Sequence, residues 1–114
     1  MIEIKRVTDG DLIKHAGDID DGDIFFAAFE AGKMTGYCRC RHEGSAVILI
    51  DLFEQNGDIV LADAMARASV AGCHGADTVE CGGDSAFLKK YCESTGRFVD
   101  GVTEVRDFLK KNCE

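Results

Sequence analysis

The run Ala46 to Phe53 (AVILIDLF), the turn Gln55-Asn56-Gly57, an alanine-rich segment and Gly75 to Glu80 (GADTVE) together spell strand, turn, helix and strand. Two parallel strands need a crossover between them, and that crossover is almost always right-handed. Ala46 to Ile50 is apolar at every position, as expected of a central strand covered on both faces. The turn that enters the crossover helix is where such a fold holds an anion, on amides without an intrahelical partner. Here it reads Gln55-Asn56-Gly57-Asp58-Ile59-Val60, with one glycine and one acid, so a phosphate site at this point is impaired.

Working outward, Leu61, Ala64, Met65, Ala68, Val70 and Ala71 recur on one side of the crossover helix, with Asp63, Arg67 and Ser69 mostly off it. Upstream, Ile2 to Val7 alternates as a half-buried strand, and Thr8 or Asp9 caps a short helix through about Gly17. Ile24 to Glu30 and Met34 to His42 form a hairpin around Ala31-Gly32-Lys33. Downstream, Thr78 to Cys81 is a short strand. Asp84 or Ser85 caps a helix on which Phe87, Leu88, Tyr91 and Cys92 share a face until Gly96. Arg97 to Val99 is read as a brief strand, and a C-terminal helix starts near Glu104.

The 114 residues are read as one domain. With 21 Asp and Glu against 13 Lys and Arg the formal charge is −8, which repels polyanions and argues against nucleic acid or an anionic membrane as partner. The longest apolar runs fall far short of the roughly 20 residues that span a bilayer, so a soluble, cytoplasmic protein is expected. The acidic stretch Asp18 to Asp23 superficially suggests a calcium loop. The twelfth position from Asp18, where that loop needs Glu, is Phe29, and a solvated acidic loop is expected instead.

Six cysteines sit inside periodic apolar segments rather than in a loop-rich frame, so reduced, mostly buried thiols are expected. Cys38 and Cys40 share one face of a strand, and with Cys81, Cys73 and His74 they invite a zinc reading. Structural zinc prefers paired cysteines in turns, so buried packing is the stronger reading and no metal is assigned. His15, His42 and His74 are scattered, and none stands beside a Ser or Cys in a recognised nucleophile motif.

The order strand, helix, three antiparallel strands, helix, strand, helix, strand resembles the GNAT superfamily of N-acetyltransferases. Phe25 to Tyr37 (FFAAFEAGKMTGY) is similar to that family's second and third strands and Ile50 to Glu54 (IDLFE) to its fourth. Gly75 to Cys81 (GADTVEC) is similar to its fifth strand, and Phe87 to Phe98 (FLKKYCESTGRF) to its Tyr-bearing helix with the Gly and Phe that follow. The resemblance covers most of the chain. It implies a small α+β, GNAT-like α/β/α sandwich with a mixed, mainly antiparallel central sheet.

The resemblance also implies an activity: transfer of an acyl group from acetyl-CoA to a small amine or peptide amine. The fourth and fifth strands would splay apart. The pantetheine arm would lie along the fourth strand at Leu52 and Phe53, and the pyrophosphate on Asn56, Gly57, Asp58 and Ile59. Glu54 and Asp51 are the candidate bases and Tyr91 the candidate acid. The family's loop pattern, Gln/Arg-x-x-Gly-x-Gly/Ala, places its glycines at Asp58 and Val60 here. One unfavourable charge contact costs about 1 kcal/mol near a surface, on the order of tenfold in affinity. Tyr91 also stands five residues before Gly96 where the family has four, which leaves it either the acid or a half-buried packing residue. The second reading keeps the scaffold without catalysis, as a binding or dimerisation module whose cleft is filled by side chains or a partner strand. A symmetric homodimer is compatible with either.

Overall fold

The computed structural model describes residues 2–7, 23–83, 85–96 and 98–109. Alternation and turn chemistry build one six-stranded sheet. Its spatial order follows the chain: β1 (Ile2–Arg6), β2 (Asp23–Glu30), β3 (Lys33–Glu43), β4 (Ala46–Glu54), β5 (Thr78–Cys81) and β6 (Val102–Glu104). Neighbours are antiparallel except β4 and β5, which run parallel. The crossover between them is α1 (Ile59–Ala71); α2 (Ala86–Thr95) follows β5 and α3 (Val105–Leu109) follows β6. The sheet is therefore mixed and mainly antiparallel, as expected.

Cys38, Cys40, Val47, Leu49 and Leu52 of the sheet share a buried cluster with Met65 and Val70 of α1, Leu88 and Tyr91 of α2, and Phe108 of α3. The three described helices thus cover one face. A smaller buried cluster of Val7, Phe25, Ala27 and Phe29, joined by Met34 and Tyr37, marks the other. The period of two explains the division, since Cys38 and Cys40 face the helices while Tyr37, Arg39 and Arg41 point away.

Several expectations change. The buried residues of α1 are Ala62, Met65, Ala66, Ser69 and Val70, not the stripe through Ala64, Ala68 and Ala71. Ser69 enters the core because its hydroxyl donates to the carbonyl of Met65, 2.9 Å away, which hides its polarity. The brief strand placed at Arg97 to Val99 reduces, among the described residues, to a single bridge between Val99 and Val102. The strand that pairs with β5 is Val102–Glu104, where Val and Thr override the helix pattern. Cys81 and Cys92 are joined in a disulfide that ties β5 to α2, contrary to the expectation of reduced thiols throughout. Cys38, Cys40 and Cys73 are free and buried. The helix expected from Thr8 to Gly17 and the acidic loop lie outside the described residues, except Asp23, which opens β2. No helix among the described residues is long and apolar enough to cross a membrane.

Candidate active site

The parting of β4 from β5 organises this region. The parallel register runs only from Ala46–Thr78 to Leu49–Cys81, and Gly82 N then donates to Leu49 O at 2.9 Å. Two sequence features end it there. Ile50 is a bulge, since Arg39 pairs with Asp51 and Cys40 with Leu49, so β4 turns locally while its partner does not. At Gly83 a Cβ would lie 1.8 Å from Ile50 O, so only glycine lets the chain pass that close before it leaves for α2, capped by Ser85. Beyond Leu49, no described strand pairs with the far edge of β4.

Gln55 N donates to Thr35 O, and alternation then turns Phe53 and Asp51 toward β3, leaving the backbone groups of Leu52 and Glu54 on the free edge. Leu52 N–H is held by Oδ1 of Asp51 at 2.9 Å, and Oδ2 of Asp51 accepts the Tyr37 hydroxyl at 3.0 Å. Burial, followed by the neighbouring Asp51 carboxylate, pushes the Tyr37 phenol up to about 12, so it remains a proton donor at neutral pH. Tyr37 stacks between Phe25 and Phe53, with ring centroids 5.3 and 5.7 Å away, and Phe53 is 44% exposed beside the edge. On the same face Asp23, its side chain fully enclosed, receives Arg39 Nε at 2.7 Å and Arg41 Nε at 2.9 Å. Burial works against its charge, but the two guanidiniums outweigh it and hold the carboxyl below the ordinary carboxylate range.

The Gln55–Val60 loop is built differently from a phosphate cradle. Glu54 is buried, and its Oε1 accepts from Asn56 N at 2.6 Å and Asp58 N at 3.0 Å. Oδ1 of Asp58, the N-cap of α1, accepts from Val60 N at 3.0 Å and Leu61 N at 3.1 Å, and Gly57 N donates to Glu54 O at 3.1 Å. Five amides that a phosphate could use are therefore held by the chain itself, four of them by carboxylates. Ile59, the remaining residue of the expected pyrophosphate contact, opens α1.

Tyr91 is fully buried. Its hydroxyl donates to Oδ1 of Asp63 at 2.6 Å, bridging α2 to α1, and Oδ2 of Asp63 meets Arg67 Nε at 2.9 Å. Of the three expected catalytic residues, Asp51 thus faces the side of Tyr37 and Phe53, Glu54 is turned into the loop, and Tyr91 is engaged between helices. Sequence reasoning passed over Tyr37 and Asp63. Tyr37 carried a signal, since it shares the face of Arg39 and Arg41 two and four residues on. Among the described residues, no group of three His, Cys, Asp or Glu is placed to hold a metal ion.

Solved structures share this fold. The ribosomal-protein-S18-alanine N-acetyltransferase of Escherichia coli aligns over 92% of this chain and 94% of its own, with a TM-score of 0.64 at 14% identity. An N-acetyltransferase from Staphylococcus aureus Mu50 aligns over 93% and 99%, with a TM-score of 0.64 at 11% identity. A probable acetyltransferase from Staphylococcus epidermidis gives 0.63 over 84% and 83%, at 14% identity. The chain has the GNAT fold. At these identities the likeness establishes the fold alone. No protein-family model and no curated protein sequence matches the chain. Within the GNAT fold, the parting of β4 from β5 marks the position where sequence resemblance implied a splayed, acyl-binding cleft.

Proposed function

We propose that this GNAT-fold protein is an N-acetyltransferase-like enzyme that lays the thioester arm of an acyl donor along the free edge of β4 and passes the acyl group to a small amine or peptide amine. The observation that carries this reading is the loss of β4–β5 pairing after Leu49, which leaves the groups of Leu52 and Glu54 facing away from β3. An extended donor arm with amides of its own adds to such an edge as a further strand would. A thioester carbonyl that takes Leu52 N–H releases Oδ1 of Asp51 toward the incoming amine. The amine nitrogen bonds to the acyl carbon, the carbon–sulfur bond breaks, and the amine proton passes to Asp51 and on to solvent. The sulfur departs as thiolate and takes its proton from water, since Tyr91 already gives its own to Asp63. A thiol near pKa 8.5 makes this a modest demand. Tyr37 is the residue that orients Asp51.

A second reading, a GNAT-fold binding module without catalysis, is favoured by the carboxylates of Asp51, Glu54 and Asp58 on the very amides a donor would use. Melting with and without millimolar acetyl thioesters separates the two. A ligand at a hundred times its Kd stabilises by about 2.7 kcal/mol, which moves the midpoint several degrees. If no thioester moves it, the module is the better account. If one does, thiol release in the presence of amines should follow, and Asp51→Asn should lower it about 100-fold.

A further inference from the structure

The proposed function leaves open which carrier brings the acyl group, and the loop after β4 bears on that choice. We propose that the donor is a pantetheine-type thioester whose carrier places no diphosphate at the Gln55–Val60 loop, rather than a nucleotide-bearing one such as CoA. This rests on the β4 edge being a thioester site.

A loop that receives a diphosphate offers it amides with no other partner, from backbone that comes close to the phosphate oxygens. Here Asn56 N and Asp58 N converge on Oε1 of Glu54, and Val60 N and Leu61 N on Oδ1 of Asp58. Asp58 alone would be an ordinary helix cap, which a ligand could displace. Glu54 is the independent observation. It is only 3% exposed, it belongs to β4 rather than to the helix, and its carboxylate stands inside the loop it closes. To use these amides, a diphosphate would have to displace both carboxylates and then remain near two negative charges, one of them the enclosed Glu54. The exposed Val60 side chain adds bulk at a position where close approach needs very little.

At Leu52, two residues before Glu54 on the same β4 edge, the loop's carboxylates hold no amide. There the competing group is the single carboxylate of Asp51, which keeps its Tyr37 hydrogen bond through Oδ2 when Oδ1 gives up Leu52 N–H. The arm therefore keeps a place to bind while the nucleotide end loses one. A donor that ends near the pantetheine forfeits nothing at the loop, whereas CoA brings its diphosphate to a surface of its own sign.

The test compares S-acetyl-pantetheine with acetyl-CoA on the wild-type protein, by titration calorimetry and by melting at matched millimolar concentrations. The expected result is an acetyl-pantetheine Kd equal to or lower than that of acetyl-CoA. Asp58→Gly should then tighten acetyl-CoA about tenfold, since it removes one charge and leaves the helix start capped nearly as well. Acetyl-CoA binding more than tenfold tighter than acetyl-pantetheine to the wild type would overturn the donor assignment and leave the proposed function standing. Binding of neither would sink the proposed function, and the donor assignment with it.

Discussion

Tyr91 and Asp63, 28 residues apart, meet at 2.6 Å between α2 and α1, and the phenol is the donor. A residue that resemblance marks as an acid for a departing thiolate is thus a clasp between two helices, completed by Arg67 on the other oxygen of Asp63. The phenol is enclosed and its proton already has an acceptor, so its first measurable role is structural.

Tyr91→Phe keeps the shape of the ring and removes one hydrogen bond to a charged acceptor. The expected cost is about 1.5 kcal/mol, roughly 6–10 °C in melting temperature for a domain of this size. Urea denaturation measures it. An unchanged midpoint, together with a hundredfold loss of thioester turnover, would return Tyr91 to the role of acid.

Asp23 gives the fold an acid-sensitive point. Its folded pKa lies below the ordinary 3.8, because Arg39 and Arg41 outweigh the cost of burial. The unfolded chain therefore binds this proton more readily, and the stability Asp23 supplies is fully present above the unfolded pKa. It is lost as pH falls through the folded value, below 3.8. Asp23→Asn leaves Arg39 and Arg41 beside a neutral amide in place of a carboxylate, at a cost of about 3 kcal/mol near neutral pH. The gap between variant and wild type should close as unfolding is measured toward pH 2. A constant gap would show that packing, not charge, holds this corner.

The residues that decide the fold are largely local in their effect. An unbroken apolar strand, an Asp at the helix start and a glycine at the end of α2, where Gly96 adopts φ 67°, can each be read within a few positions. The parts of the site that could not be read depend on contacts closed by tertiary structure. The Tyr37–Asp51 pair exists because a bulge at Ile50 resets which side chains face which way, and no spacing rule announces that bulge. Asp58 was legible as an obstacle to phosphate. Glu54 was not legible as its companion, because a carboxylate ending a strand looks like a surface group until the loop folds back over it. Ser69 misled the helix reading for a related reason, as a hydroxyl bonded to its own helix is no longer polar toward the core.

The three free thiols among the described residues, Cys38, Cys40 and Cys73, should be inert in the folded protein. Burial, above all, raises all three and pushes Cys38 up to about 12, so almost no thiolate exists at pH 8. Iodoacetamide at pH 8 should leave Cys38, Cys40 and Cys73 unmodified in native protein and label all three in urea, as read by peptide mass spectrometry. Labelling of Cys38 or Cys40 without denaturant would mean that the space between the sheet and α1 opens readily.

The parting of β4 from β5 has its own test in the two glycines after Cys81. At Gly82 an added Cβ would meet the Ile48 methyl Cγ2 at 2.3 Å, a side-chain contact that rotation can relieve. At Gly83 it would meet the carbonyl oxygen of Ile50 at 1.8 Å and its carbon at 2.7 Å, backbone atoms that no side-chain rotation can move aside. Gly83→Ala must therefore push α2 away from β4 or break the pairing that precedes it, at a cost of about 2–3 kcal/mol, whereas Gly82→Ala should lose less. The order of the two variants in urea denaturation checks the geometry, and Gly82→Ala as the more damaging change would contradict it. If the free edge serves a thioester, Gly83→Ala in its folded fraction should also change thioester affinity, because the backbone that ends the β4–β5 pairing lies beside that edge.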